Sequence, residues 1–158
     1  MYAGISHCRC TPEAKELAYT SLVRPLMEFA ASAWDPYRVK DTNKLEMIQC
    51  CAARFAKSDY RRTTSVTKLM DDLGWKTLSD CRKNAHLNLF GKAVCGKVAI
   101  SVDKLKQATI VTRFSDGTTF TAITTHMDAY KFSFFPRTVR EWNSLTLHSR
   151  LKLIPTYS

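Results

Sequence analysis

Eight cations crowd the middle of this 158-residue chain: Arg38, Lys40, Arg54, Lys57, Arg61, Arg62, Arg82 and Lys83. Guanidinium and ammonium groups at that density suit one chemistry above others, the gripping of nucleic-acid phosphates. The formal net charge of +10 is unevenly spread. Residues 38–68 carry eight basic against three acidic side chains, a net +5, and residues 76–113 carry eight against two, a net +6. A basic centre favours a polyanion, although on charge alone a solvated surface accounts for the pattern equally well. Tyr37, Tyr60 and Trp75 lie close to these cations in sequence. If exposed they can stack on a base or sugar, while core and turn positions suit each of them too.

Catalytic constellations are missing. His7, His86, His126 and His148 are scattered, and the five glycines stand apart, so no glycine-rich phosphate loop forms. Phosphoryl transfer on two metal ions needs closely placed carboxylates. The adjacent acids Asp71 and Asp72 fall on successive faces of a predicted helix and are read as solvent-facing. No catalytic residue, metal site or cofactor is expected, and the chain by itself is not expected to be an enzyme. Six cysteines are read as free thiols. Cys50 and Cys51 are neighbours, and His7, Cys8 and Cys10 lack a second ligand pair at zinc-site spacing. No apolar run approaches a membrane span, and Met1 to Cys10 carries no apolar signal core. The expectation is an intracellular domain, nuclear or cytoplasmic, with no membrane partner.

These cations must be carried by helices. Thr11-Pro12-Glu13 is a helix start: a capping hydroxyl, a first-turn proline and an acid favoured by the dipole. Leu22, Leu26, Phe29 and Ala33 continue one stripe, broken near Arg24 by Pro25. A turn at Trp34 to Tyr37 ends it. A second helix is expected to begin near Asp41 to Asn43, where Asn43 and Glu46 have capping-box spacing, with Leu45, Ile48, Ala52 and Phe55 inward. A third spans about 65–73, closed by Gly74. A fourth spans about 78–94, opened by Thr77 and Asp80 and stopped at Gly96. It has a broad apolar face of Leu78, Cys81, Ala85 and Leu89 beside Leu87, Phe90 and Val94. Residues 109–114 and 118–124 are rich in β-branched types around Asp116-Gly117, which predicts a hairpin.

The segment from Ser133 to Leu145 closes the plan. Pro136 suits a helix start, and Val139, Trp142 and either Asn143 or Leu145 share a face. Arg137 and Glu141 are spaced for an ion pair. Phe134, Phe135 and Trp142 form a plug for a core that also takes Leu22, Phe29, Trp34 and Phe55. The predicted fold is therefore mainly α: a four-helix thumb-like bundle, a small β-hairpin and a closing aromatic C-terminal helix. Residues 1–96 form the helical domain, with 97–158 packing on it.

Three blocks carry a resemblance. The first runs from Lys15 to Pro25 through Glu28-Phe29-Ala30 to Trp34-Asp35-Pro36-Tyr37. The second is Asn43-Lys44-Leu45-Glu46, Ile48-Gln49 and Ala52-Ala53-Arg54-Phe55. The third is the closing aromatic segment preceded by Tyr130-Lys131. In order and spacing they resemble the region downstream of the polymerase core in reverse transcriptases of jockey-like non-LTR retrotransposons, over about residues 11–145. The resemblance implies the thumb and C-terminal extension of an RNA-directed DNA polymerase, which holds the template–primer duplex. Polymerisation resides in the family's palm, whose paired aspartates on a hairpin bind magnesium; that motif is absent from this sequence. The implied partner is nucleic acid, an RNA–DNA or DNA duplex.

Two departures qualify the picture. Cys50 and Cys51 stand where the family commonly has basic residues, and the tail from Thr146 lacks the proline and longer run expected after Leu145. A truncated, degenerate element copy is the resulting expectation, with Met1 an arbitrary start inside a larger frame. The alternatives are an inert remnant or a thumb subunit serving a polymerase in trans. Without the palm surface, Leu22, Leu26 or Phe29 would be exposed and favour self-association.

Overall fold

A computed structural model describes residues 10–102, 105 and 118–154. Over them the chain is mainly helical, with no strand among the described residues. Most of the expected hairpin, including Asp116-Gly117, lies outside the described residues, as do His7 and Cys8. Thr118 to Thr124 form no strand.

Thr11 caps α1 (Pro12–Ala18), its hydroxyl accepting from the Ala14 N–H at 3.3 Å. The break that Pro25 demands is taken up just before it. Tyr19–Val23 form a π-helical turn in which the Arg24 N–H reaches back to the Tyr19 carbonyl. In a regular α-helix the Pro25 ring would press on the carbonyl four residues earlier, and one extra residue in the turn relieves this. α2 (Arg24–Glu28) follows. Ala30, left-handed at φ 51°, then turns the chain into α3 (Ala31–Trp34). The anticipated continuous stripe is thereby dispersed, and Leu22, Leu26, Phe29 and Ala33 are all exposed.

The chain divides into two compact units, one reaching to Phe29 together with Arg38–Asp80, the other comprising Ala30–Tyr37 and the chain from Cys81 on. The division expected at residues 96–97 falls elsewhere. Most of α6 (Leu78–Val94) groups with the C-terminal residues, because Leu87 and Phe90 share a core with Val139 and Trp142.

In the first unit, α4 (Val39–Lys57) and α5 (Val66–Asp72) pack with the N-terminal helices around Tyr19, Ala53, Ala56, Leu69 and Trp75. Tyr19 and Trp75 stack at 4.7 Å. Burial pushes the Tyr19 phenol up to about 12, and its buried hydroxyl has no hydrogen-bond partner among the described residues. α4 begins at Val39, earlier than its sequence suggests, and Glu46 does not cap it. The Glu46 carboxylate instead accepts from the Leu78 and Ser79 N–H groups at 3.2 and 2.7 Å, a negative charge on the open N-terminus of α6. Gln49 donates to the Lys76 carbonyl at 2.8 Å. These two contacts set the rotation of α4, which buries Gln49, Ala53 and Ala56 and turns Ile48 and Phe55 outward. Phe55, Leu22 and Phe29 are thus not core residues. An apolar groove of about 380 Å³, lined among others by Tyr19, Leu22, Val23, Ile48 and Phe55, stays open.

Local stop signals act as expected. Gly74 (φ +64°) ends α5, with the Gly74 N–H on the Asp71 carbonyl and the Trp75 N–H on the Met70 carbonyl. Gly96 (φ +66°) closes α6 in the same way. Asp71 and Asp72 are exposed.

In the second unit, α7 (Asp128–Lys131), α8 (Phe134–Asn143) and α9 (Leu147–Leu153) accompany the body of α6. Trp142 is wholly buried, edge-on to Phe90 at 5.2 Å, with its indole N–H on the Thr118 carbonyl at 2.9 Å. Phe134 and Phe135 pack against this core, whereas Trp34 is half-exposed because it ends the short α3. α8 starts two residues before Pro136, which sits in a first turn whose N–H groups have no helical acceptor in any case. Within the tail, Leu147–Leu153 form a helix. Thr146 caps α9, and buried Arg150 donates to the Trp142 and Asn143 carbonyls at 3.0 and 2.9 Å, satisfying the C-terminus of α8. Gly91 packs so close to α9 that a Cβ there would stand 2.5 Å from the Leu153 carbonyl oxygen.

Candidate nucleic-acid interface

The eight cations divide into three groups. Arg38 and Lys40 lie at the start of α4 and are exposed. Arg54, Lys57, Arg61 and Arg62 gather at its far end, about 28 Å away at 1.5 Å per residue over its 19 residues. Arg82 and Lys83 belong to the second unit. Lys83 is exposed, but Arg82 is not.

Arg82 has a different job. Its side chain is 1% exposed, and its Nε sits 2.7 Å from the Asp35 Oδ1, itself in a side chain 5% exposed. The second Asp35 oxygen lies 2.8 Å from the Arg137 Nη1, and Arg137 also pairs with Glu141 at 3.5 Å. This ties the turn after α3 to α6 and α8. A duplex cannot reach Arg82, so its expected phosphate role is withdrawn: the buried carboxylate draws the guanidinium inward. His86 is buried beside it, its Nε2 4.0 Å from Asp35, too far for a hydrogen bond. With acid, histidine and guanidinium all closed to solvent, the cluster holds the fold together rather than meeting a substrate.

The end of α4 is the better candidate. Ser58 takes a left-handed conformation (φ 51°) that stops the helix, and the Asp59 N–H returns to the Arg54 carbonyl at 3.1 Å. The Arg54 guanidinium then donates to three carbonyls of the loop, those of Asp59, Arg61 and Thr64, at 3.4, 2.9 and 3.3 Å. Asp59 accepts from the Arg61 backbone N–H, from the Arg61 guanidinium and from the Thr64 hydroxyl. These hydrogen bonds, Arg61's first, hold the Asp59 carboxyl well below the usual carboxylate range. The loop therefore stays tied through neutral and mildly acid pH and loosens only as pH falls through that lowered value. Arg54 organises the loop, Arg61 neutralises Asp59, and exposed Lys57 and Arg62 form no ion pair among the described residues.

Of the three aromatics, Trp75 is buried on Tyr19, and Tyr37 stacks on Phe132 at 5.0 Å. Tyr60 is 66% exposed, in the loop with Arg61 and Arg62. The sequence reading missed the structural service of Arg54, Arg82 and Arg150, since arginines read as surface until a buried acceptor is known. For Arg150 there was one signal, the Thr146/Ser149 capping pair that opens α9. No family model matches this chain, and neither a curated protein nor a solved structure matches it.

Proposed function

We propose that this chain is the post-palm region, thumb and C-terminal extension, of a jockey-like non-LTR retrotransposon reverse transcriptase. It is non-catalytic by itself and keeps a basic surface for a template–primer duplex. The observation that carries the reading is the order and spacing of the three sequence blocks. It is supported by the direct ion pair between Asp35 of the first block and Arg137 of the third, 102 residues apart in sequence. In this reading the first unit uses the Arg54–Arg62 end of α4 on phosphates, joined by Arg38 and Lys40, which are exposed at its start. The exposed face around Leu22 and Leu26 suits a polymerase core or self-association. The substitution of Cys50 and Cys51 for basic residues favours the second reading, an inert remnant with the same origin.

Filter binding of an RNA–DNA hybrid across a salt series tests the reading. Binding that weakens steeply with salt is expected, and no salt-sensitive binding at low ionic strength overturns it. Primer extension with magnesium and deoxynucleotides is expected to yield no product from this chain alone.

A further inference from the structure

We infer that the loop from Ser58 to Ser65 is a contact for unpaired nucleotides, with the Tyr60 ring as stacking platform and Arg62 as phosphate contact. This rests on the nucleic-acid reading above and names the part of the ligand that the loop takes.

The loop is bound by seven hydrogen bonds centred on Arg54 and Asp59. Its backbone is held before any ligand arrives, so little entropy is lost on binding. None of those bonds uses the Tyr60 side chain. The ring projects into water from an ordered segment, with no stacking or hydrogen-bond partner among the described residues. A large aromatic held out in this way loses contact area to water and gains it back when a flat apolar face covers it.

Charge selects the partner. Asp59 is already neutralised by Arg61 at 2.8 Å, so Arg62 and Lys57 leave the loop positive beside the ring. A cation two residues from an exposed aromatic matches a repeating unit of phosphate and base. The base must be unpaired, because within a duplex both of its faces are occupied by its neighbours. A strand extending beyond a duplex supplies such bases.

The test compares two fluorescein-labelled RNA–DNA hybrids, one blunt and one with a ten-nucleotide single-stranded extension. The wild-type chain is expected to bind the extended hybrid roughly tenfold more tightly. Tyr60→Ala should abolish that preference, while Tyr60→Phe, which keeps the ring, should retain it. Arg62→Ala should weaken the binding and lower the salt slope by about 0.7–0.9. Thermal melts of the variants should match the wild type, since neither side chain makes a hydrogen bond or ion pair among the described residues. Equal binding of the two hybrids by the wild type, an unchanged preference in Tyr60→Ala, or an equal loss in Tyr60→Phe overturns this inference alone. Binding of neither hybrid at low salt overturns it together with the reading on which it rests.

Discussion

The two units differ in which side chains fill their cores, although both leave some large apolar side chains exposed. The second turns Phe90, Phe120, Val139 and Trp142 onto one point and excludes water from it. The first buries Ala53, Ala56 and Leu69 around a Tyr19–Trp75 stack, and leaves Leu17, Leu22, Leu26, Met47 and Phe55 in contact with water. Polar groups follow the same division. The second unit buries the Asp35 carboxylate against the enclosed Arg82 guanidinium and the partly exposed Arg137, and uses Arg150 to complete a helix end. The first keeps most of its charges outside and spends Arg54 on a loop. An amphipathic pattern specifies that a face is apolar; it does not supply the surface that covers it.

The largest effects should come from the second unit. Trp142→Ala removes a fully enclosed ring and its bond to Thr118, and is expected to cost about 3–5 kcal/mol in chemical denaturation. A change near zero would mean that this core is not the close-packed one described. Asp35→Ala leaves the buried Arg82 guanidinium without its counter-charge, for a loss of about 3 kcal/mol. The double variant Asp35→Ala/Arg82→Met should recover part of it, and failure to recover would move the cost from electrostatics to packing. Gly91→Ala sets a methyl group against the Leu153 backbone and should destabilise by about 1–3 kcal/mol, checked by thermal melting. An unperturbed Gly91→Ala protein would show that α9 yields easily.

The first unit supplies the smallest effect and the sharpest contrast. Leu26 is 75% exposed, so Leu26→Ser should change unfolding free energy by no more than about 0.5 kcal/mol while raising solubility. A loss well beyond that would place Leu26 in a covered interface and erase the distinction between the units.

Much of the helical plan was legible in short-range signals. Thr11-Pro12, Gly74, Gly96 and the Thr77/Asp80 pair each act within a few residues, and each appears where its spacing puts it. Trp142 as a plug was legible too, because it shares one face of α8 with Val139 and both are buried. The buried face of α4 was misread by about one residue. Its apolar periodicity points to Ile48 and Phe55, but Gln49 and Glu46 find acceptor and donors in the chain around residues 76–79 and rotate the helix toward them. The candidate interface was half legible: its cations were found, yet nothing local distinguishes Arg62, left to solvent, from Arg54 or Arg82.

What this sequence determined by itself is therefore where helices start and stop and which residue types are available to meet phosphate. Those properties depend on neighbours within one turn or on composition. Tertiary structure alone decided that Arg82 faces Asp35, 47 residues away, that Arg150 completes α8, and that Tyr60 stands in water while Trp75 does not. A polar side chain goes inward only when a distant partner offsets its desolvation, and the identity of that partner is settled by packing rather than by spacing.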